Sequence, residues 1–263
     1  MDQFLELNDY KLRYRDQGKG NTVVFLHGYL ESLETFETFT KDLSRLARVI
    51  TLDLPGHGLS ELTNDSCSIE EMAEAVNELA NHLQLQKINL IGHSMGGYVA
   101  LAFADKYVDK LESFCLFHSS PNADTDDKKA NRQREIELVL QGKKELICKS
   151  NIPKTFSNKN QNKYAHEIKR ITEIACKTSD KGIIAALNAM MNRPDRNKVL
   201  KALNMPKVSI MGKEDNFIPL KVAGEIAKEN GLTPFVLQTS GHMGFIEQRQ
   251  ECLREIFRII YEC

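Results

Sequence analysis

The sequence predicts an α/β fold: a mostly parallel twisted sheet of about eight strands, helices on both faces, and one inserted helical block. Short β-type runs alternate with helical stretches along the chain, the order in which crossover units are laid down. The first residues alternate apolar and polar more strictly, as an antiparallel edge does. Between Pro121 and Pro194 the composition becomes highly charged and no β-run interrupts it.

Residues 3–7 and 10–15 read as a hairpin turning at Asn8-Asp9. Buried strands follow at Thr22–Leu26 and Arg48–Leu52. From Cys67 to Leu85, Ile69, Met72, Ala73, Val76, Leu79, Ala80 and Leu83 share one helical face, and Ser68 with Glu71 forms a capping box at its start. Strands at Ile88–Ile91 and Leu111–Phe117 precede the charged block. Within that block helical patterns fit 126–141, 160–177 and 180–192, the last opened by Ser179-Asp180. Strands at Val208–Met211 and Phe235–Gln238 complete the set. The expected organisation is a core of 1–121 and 195–263 with a helical lid, or cap, at 122–194. Connections at the carboxyl ends of parallel strands are where ligands bind.

A chain of 263 residues can bury roughly three quarters of its unfolded surface, so neither a metal nor a disulfide is needed to hold it. Hydrophobic content of 41% and charged content of 27% are those of a soluble globular protein. A net charge of −1 argues against a nucleic-acid or membrane-surface partner. Cys67, Cys115, Cys148, Cys176, Cys252 and Cys263 show no metal-ligand spacing and read as reduced thiols of a cytoplasmic protein. The first twenty residues have no signal-peptide pattern, and no apolar run is long enough to cross a bilayer.

"INLIGHSMGGYVALAFADKY" places Gly92-His93-Ser94-Met95-Gly96, a G-x-S-x-G sequence, between a strand and a helix. On such a turn the glycines relieve collisions with strand and helix, and the serine hydroxyl is held outward. Serine is a weak nucleophile until a base is positioned beside it. Of seven histidines, His242 lies just past the last strand in a small-residue loop; His82 and His166 read as solvated, and His93 as facing the sheet. Asp215, directly after the penultimate strand, is the favoured orienting carboxylate, with Glu214 and Asp124 as rivals. Backbone N–H groups of Met95 and Tyr29 are the candidate oxyanion donors, with His27 as a structural hydrogen-bonding residue. "DLPGHGLSE", residues 53–61, reads as a tight turn packed beside the Tyr29 loop and too thin in ligands for a metal.

"LHGYLES", "DLPGHGLS", "GHSMGG", "GKEDNFIP" and "SGHMGF" together resemble the α/β-hydrolase superfamily, in its serine-nucleophile, single-domain, lidded branch. The resemblance covers nearly the whole chain, and the order Ser94, Asp215, His242 is the one that fold uses. Ser94 departs from the aspartate of dehalogenases and epoxide hydrolases, and His27-Gly28-Tyr29-Leu30 from the HGGG loop of hormone-sensitive-lipase relatives. Cofactor-free haloperoxidases share the elbow but carry a tryptophan by the site, and this chain has no tryptophan.

The resemblance implies a serine hydrolase acting on a small-molecule carboxylic ester or thioester, without cofactor or metal, as a monomer or homodimer. Phe156, Leu187, Met190 and Met191, with Ile183, are candidates for an acyl pocket. Residues 122–194 hold 15 lysines and arginines against 9 acids, which fits either a solvated face or an anionic substrate. Arg132, Arg134 and Arg193 keep open a menaquinone-pathway cyclohexene-carboxylate synthase type of lyase. A carbon–carbon bond hydrolase and a non-catalytic receptor on the same scaffold are the remaining alternatives.

Overall fold

The computed structural model describes residues 1–7, 10–62 and 66–262. The expected turn at Asn8-Asp9 and Cys263 lie outside the described residues. Among the described residues, eight strands form one sheet: β1 Gln3–Leu7, β2 Tyr10–Gln17, β3 Thr22–Leu26, β4 Arg48–Leu52, β5 Ile88–His93, β6 Leu111–Phe117, β7 Lys207–Gly212 and β8 Thr233–Leu237. Their order is β1-β2-β4-β3-β5-β6-β7-β8. β1–β2 and β2–β4 pair antiparallel, and every other pair is parallel. After β3 the chain runs outward to β4 and then back across to β5. The strand order therefore reverses between β3 and β5, and the loops leaving their carboxyl ends diverge to open a crevice.

The helices are α1 Glu37–Leu43, α2 Ile69–His82, α3 Met95–Tyr107, α4 Asp126–Leu140, α5 Lys144–Thr155, α6 Ala165–Lys177, α7 Asp180–Asn192, α8 Asn197–Ala202, α9 Leu220–Asn230, α10 Gly244–Glu247 and α11 Arg249–Tyr261. α2, α3, α8 and α9 pack in succession along one face of the sheet, and α1 packs with α11 on the other. The core between these layers is aromatic-rich: Phe25, Phe36, Phe39, Phe103, Phe114, Phe117 and Phe245 are fully buried. Each such ring contributes about 1.5–3 kcal/mol of transfer free energy. α2 opens with the capping box read from sequence, Ser68 Oγ accepting from Glu71 N at 3.1 Å.

Four helices, α4 to α7, lie within residues 122–194, where the periodicity predicts three, and α8 follows before β7. α5 is hidden in the sequence because it is rich in lysine and carries Pro153 in its last turn, yet it buries Ile147, Cys148 and Ile152. α6 begins at Ala165 rather than 160. The side chain of Asn160 is spent on Thr239 O and Glu247, tying the connector down instead of starting a helix.

Candidate active site

β5 runs into Ser94, which takes φ 51° and ψ −117°, a strained conformation for a residue with a side chain. A Cβ on Gly92 would lie 2.5 Å from Gly96 O, and one on Gly96 would lie 2.3 Å from Leu26 O. Only glycine fits either position, so strand and helix approach closely enough to force the turn. Ser94 N donates to Phe117 O at 3.0 Å, while Ser94 O accepts from Ser119 Oγ at 2.7 Å and Gly97 N at 2.9 Å. The backbone is thus held from both sides while the half-buried side chain lines a cavity.

His242 lines the same cavity. Its Nδ1 faces Asp215 Oδ2 at 2.7 Å, and Asp215 Oδ1 accepts from Phe217 N at 2.8 Å and Ile218 N at 3.1 Å. A carboxylate so engaged accepts a hydrogen bond from Nδ1–H, which keeps the proton on Nδ1 and leaves Nε2 as the basic nitrogen. Burial raises the Asp215 pKa, but contact with His242 and His118 outweighs it and holds the carboxyl well below its usual range. The rival carboxylates lie elsewhere. Glu214 accepts from Ser157 Oγ and Lys159, and Asp124 is bound by Arg132 and Arg193.

Met95 is the first residue of α3, so its N–H has no intrahelical acceptor and stands beside Ser94. Tyr29, on the loop after β3, also lines the cavity. The next residue, Leu30, is buried at φ 61°, a second strained position at the site. His27 braces this loop: Nδ1 donates to Gly28 O at 2.8 Å and Nε2 accepts from Leu54 N at 2.9 Å. Burial pushes its pKa down to about 4, which keeps the ring neutral. The 53–61 turn packs against it, with the His27 and His57 rings 5.0 Å apart.

Two residues beneath the site carry more than the sequence reading gave them. His93 Nδ1 faces Glu31 at 3.2 Å, and His93 Nε2 faces the carbonyl of His242 at 2.9 Å. Glu31 Oε2 also accepts from Gly28 N at 3.0 Å. Both side chains are buried, and the pair must hold a proton between them, because a carbonyl can only accept. One proton-sharing pair therefore spans from the Tyr29 loop to the backbone of His242. Glu31 could have been suspected from its place three residues after Gly28.

His118 follows β6 as Ser94 follows β5, at φ 48°, with Nδ1 3.2 Å from Asp215 Oδ2. Glu247, raised in pKa by burial, accepts from Gly241 N, Ser157 N and Asn160 Nδ2, and His242 N donates to Thr155 O at 2.7 Å. These bonds pin the His242 loop to the segment that follows α5. His118, Asp215 and His242 have metal-ligand atoms within 4.8 Å of one another. Asp215 Oδ2 and His242 Nδ1 nevertheless meet at hydrogen-bond distance, which leaves no room for an ion between them.

The cavity measures about 260 Å³. A larger groove of about 640 Å³ lies between the β1–β2 hairpin and α2, away from Ser94. Of the four residues expected to form an acyl pocket, Met190 alone lines the cavity. Phe156 and Leu187, like Ile183, are fully buried in the core, and half-buried Met191 packs against it. The apolar side chains of this block are needed to hold its helices together. A polar face of α4 is turned to the cavity instead: Lys128, Asn131, Arg132 and Glu135, spaced for one side of a helix.

A family model described as alpha/beta hydrolase fold matches residues 21–142. The AB hydrolase superfamily protein YisY of Bacillus subtilis is 27% identical over 249 residues, covering 90% of each chain. An esterase from Thermogutta terrifontis, solved with malate bound, superposes with a TM-score of 0.91 at 29% identity, over 97% of this chain and 96% of that one. An enol-lactonase from Burkholderia xenovorans has the same fold, with a TM-score of 0.90 at 20% identity over 99% of this chain and all of that one.

Proposed function

We propose that this chain, which belongs to the α/β-hydrolase superfamily, is a serine hydrolase that cleaves a small carboxylic ester or thioester. The observation that carries the reading is the 2.7 Å contact of His242 Nδ1 with Asp215, beside a strained Ser94 on the same cavity. Ser94 Oγ attacks the acyl carbon as His242 Nε2 takes its proton, and Asp215 stabilises the imidazolium. The N–H groups of Met95 and Tyr29 receive the oxyanion. His242 then protonates the leaving group, and water, deprotonated by the same nitrogen, releases the acyl group. The helices of 122–194 act as a lid over the crevice, the connector between α5 and α6 braced by Glu247. A cavity of about 260 Å³ favours a short substrate.

The test is turnover of an activated aryl acetate with parallel labelling by a fluorophosphonate. Ser94→Ala is expected to abolish labelling and to lower kcat on the order of 10⁴- to 10⁶-fold. Wild-type turnover by Ser94→Ala, or an unlabelled wild-type protein, would remove the nucleophile assignment.

A further inference from the structure

We propose that the substrate carries a carboxylate, or an equivalent small anionic group, on the side of the ester that faces α4, and that Arg132 receives it. The inference rests on the hydrolase reading of the site and names the class of substrate it takes.

The charges around Asp124 do not balance. Its buried carboxylate serves two guanidinium groups, those of Arg132 and Arg193. Arg193 is buried and turned away from the cavity, with both terminal nitrogens taken and only its buried Nε without a partner among the described residues. Nη1 bonds Asp124 Oδ1 at 2.8 Å and also Met190 O, Nη2 bonds Asn122 O at 2.8 Å, and the Tyr98 ring covers it at 3.7 Å. Arg132 differs. Its Nε and Nη2 face Asp124, but among the described residues Nη1 has no partner, and the residue lines the cavity. A guanidinium with one edge anchored and one edge open to a cavity is a fixed receptor for a carboxylate. Lys128, one turn before it, and Asn131, the residue preceding it, line the same wall and add an ammonium and an amide.

Glu135 is the opposing charge. Both of its oxygens are taken, by Tyr29 Oη at 3.0 Å and Asn151 Nδ2 at 2.9 Å, and no contact to Arg132 within ion-pair distance exists among the described residues. Its negative charge repels an anion from the far end of α4 and so keeps it on the Lys128 side. The same residue predicts the sign of a substitution: Glu135→Gln strengthens the preference for an anion.

The experiment compares two aryl esters of equal length on the full chain, a mono-aryl glutarate with a free carboxylate and a neutral aryl pentanoate. The wild type is expected to prefer the glutarate by about tenfold or more in kcat/KM, less so at high salt. Arg132→Met should bring the ratio toward one through KM, Lys128→Met should lower it by a few-fold, and Glu135→Gln should raise it. Free glutarate should compete with the neutral ester in the wild type and lose that competition in Arg132→Met. Equal handling of the two esters by the wild type would overturn the anion receptor while leaving the hydrolase reading intact. So would an Arg132→Met protein that loses both substrates by the same factor. If neither ester turns over and Ser94 takes no fluorophosphonate, the hydrolase reading fails first and takes this inference with it.

Discussion

Two clusters of buried charge flank Ser94, and they are built oppositely. Beneath the site, Glu31 and His93 form a closed unit in which both ring nitrogens are engaged and both side chains are buried, although Glu31 borders the cavity. Above it, Asp124, Arg132 and Arg193 form an open unit with a guanidinium edge on the cavity. The closed unit joins two loops that leave different strands, so its effect is geometric. The open unit joins α4 to the segments just before it and just after α7 and leaves one guanidinium edge without a hydrogen-bond partner, so its effect is recognition. Polar burial at a site serves position where every atom is paired and selection where one is not.

Acid acts most strongly on the buried histidines around the closed unit. His27 and His118 are held near 4 and His57 near 3, each because burial disfavours the charged ring. The unfolded chain takes up these protons from about pH 6.5 downward, while the fold resists until about pH 4, so stability falls as pH falls through that window. Each group costs ~1.4 kcal/mol per pH unit, or about 6 kcal/mol for the three at pH 5. His93 behaves in the opposite sense. Burial opposes its charge but Glu31 prevails and raises its pKa, so its contribution is complete below pH 6.5 and declines only as pH rises through the folded value. The depressed carboxyls of Glu31 and Asp215 keep their contributions until pH drops below the usual carboxylate range. Urea unfolding at pH 7 and pH 5 should show the loss, and His57→Gln should reduce its steepness by about one proton. A flat profile would mean that these rings are charged in the fold.

Truncation tests the pairing itself. His93→Leu strands the Glu31 carboxylate and should cost about 3–5 kcal/mol of stability, with kcat falling because His242 loses its carbonyl anchor. Arg132→Met leaves Asp124 with Arg193 and should cost no more than about 1.5 kcal/mol. Glu31→Gln keeps a hydrogen-bonding group at both partners and should recover part of the stability lost in Glu31→Ala, with KM less affected than kcat. Comparable losses in His93→Leu and Arg132→Met would erase the distinction between closed and open.

The sequence was informative in proportion to how local the signal is. Strands β3, β4 and β6 have the limits their runs imply, because a strand covered on both faces is mostly apolar along its length. That Ser94, Asp215 and His242 come to the same edge of the sheet was legible because each follows a strand at that end. Glu31 and His118 were not read as part of the site, since their bonds reach residues 62 and 97 positions away and leave no periodicity. The apolar pocket expected at Phe156 and Leu187 failed for a related reason. Periodicity finds the face a helix buries, but it does not say whether that face meets a cavity or another helix.

The smallest expected effect comes from the pair of neighbours that the sequence alone had to choose between. Asp215 is buried with His242, whereas Glu214 points to Ser157 and to Lys159, whose side chain is 80% exposed. An ion pair with so exposed a partner adds little, because water and salt screen it. Glu214→Gln should therefore leave the unfolding midpoint where it is and kcat/KM within about twofold. Asp215→Asn should lower kcat on the order of 10⁴-fold, since an amide favours the wrong tautomer of His242. Steady-state kinetics of the two variants side by side would decide the assignment. A large loss in Glu214→Gln with a small one in Asp215→Asn would move the orienting carboxylate by one residue and with it the geometry proposed for the base.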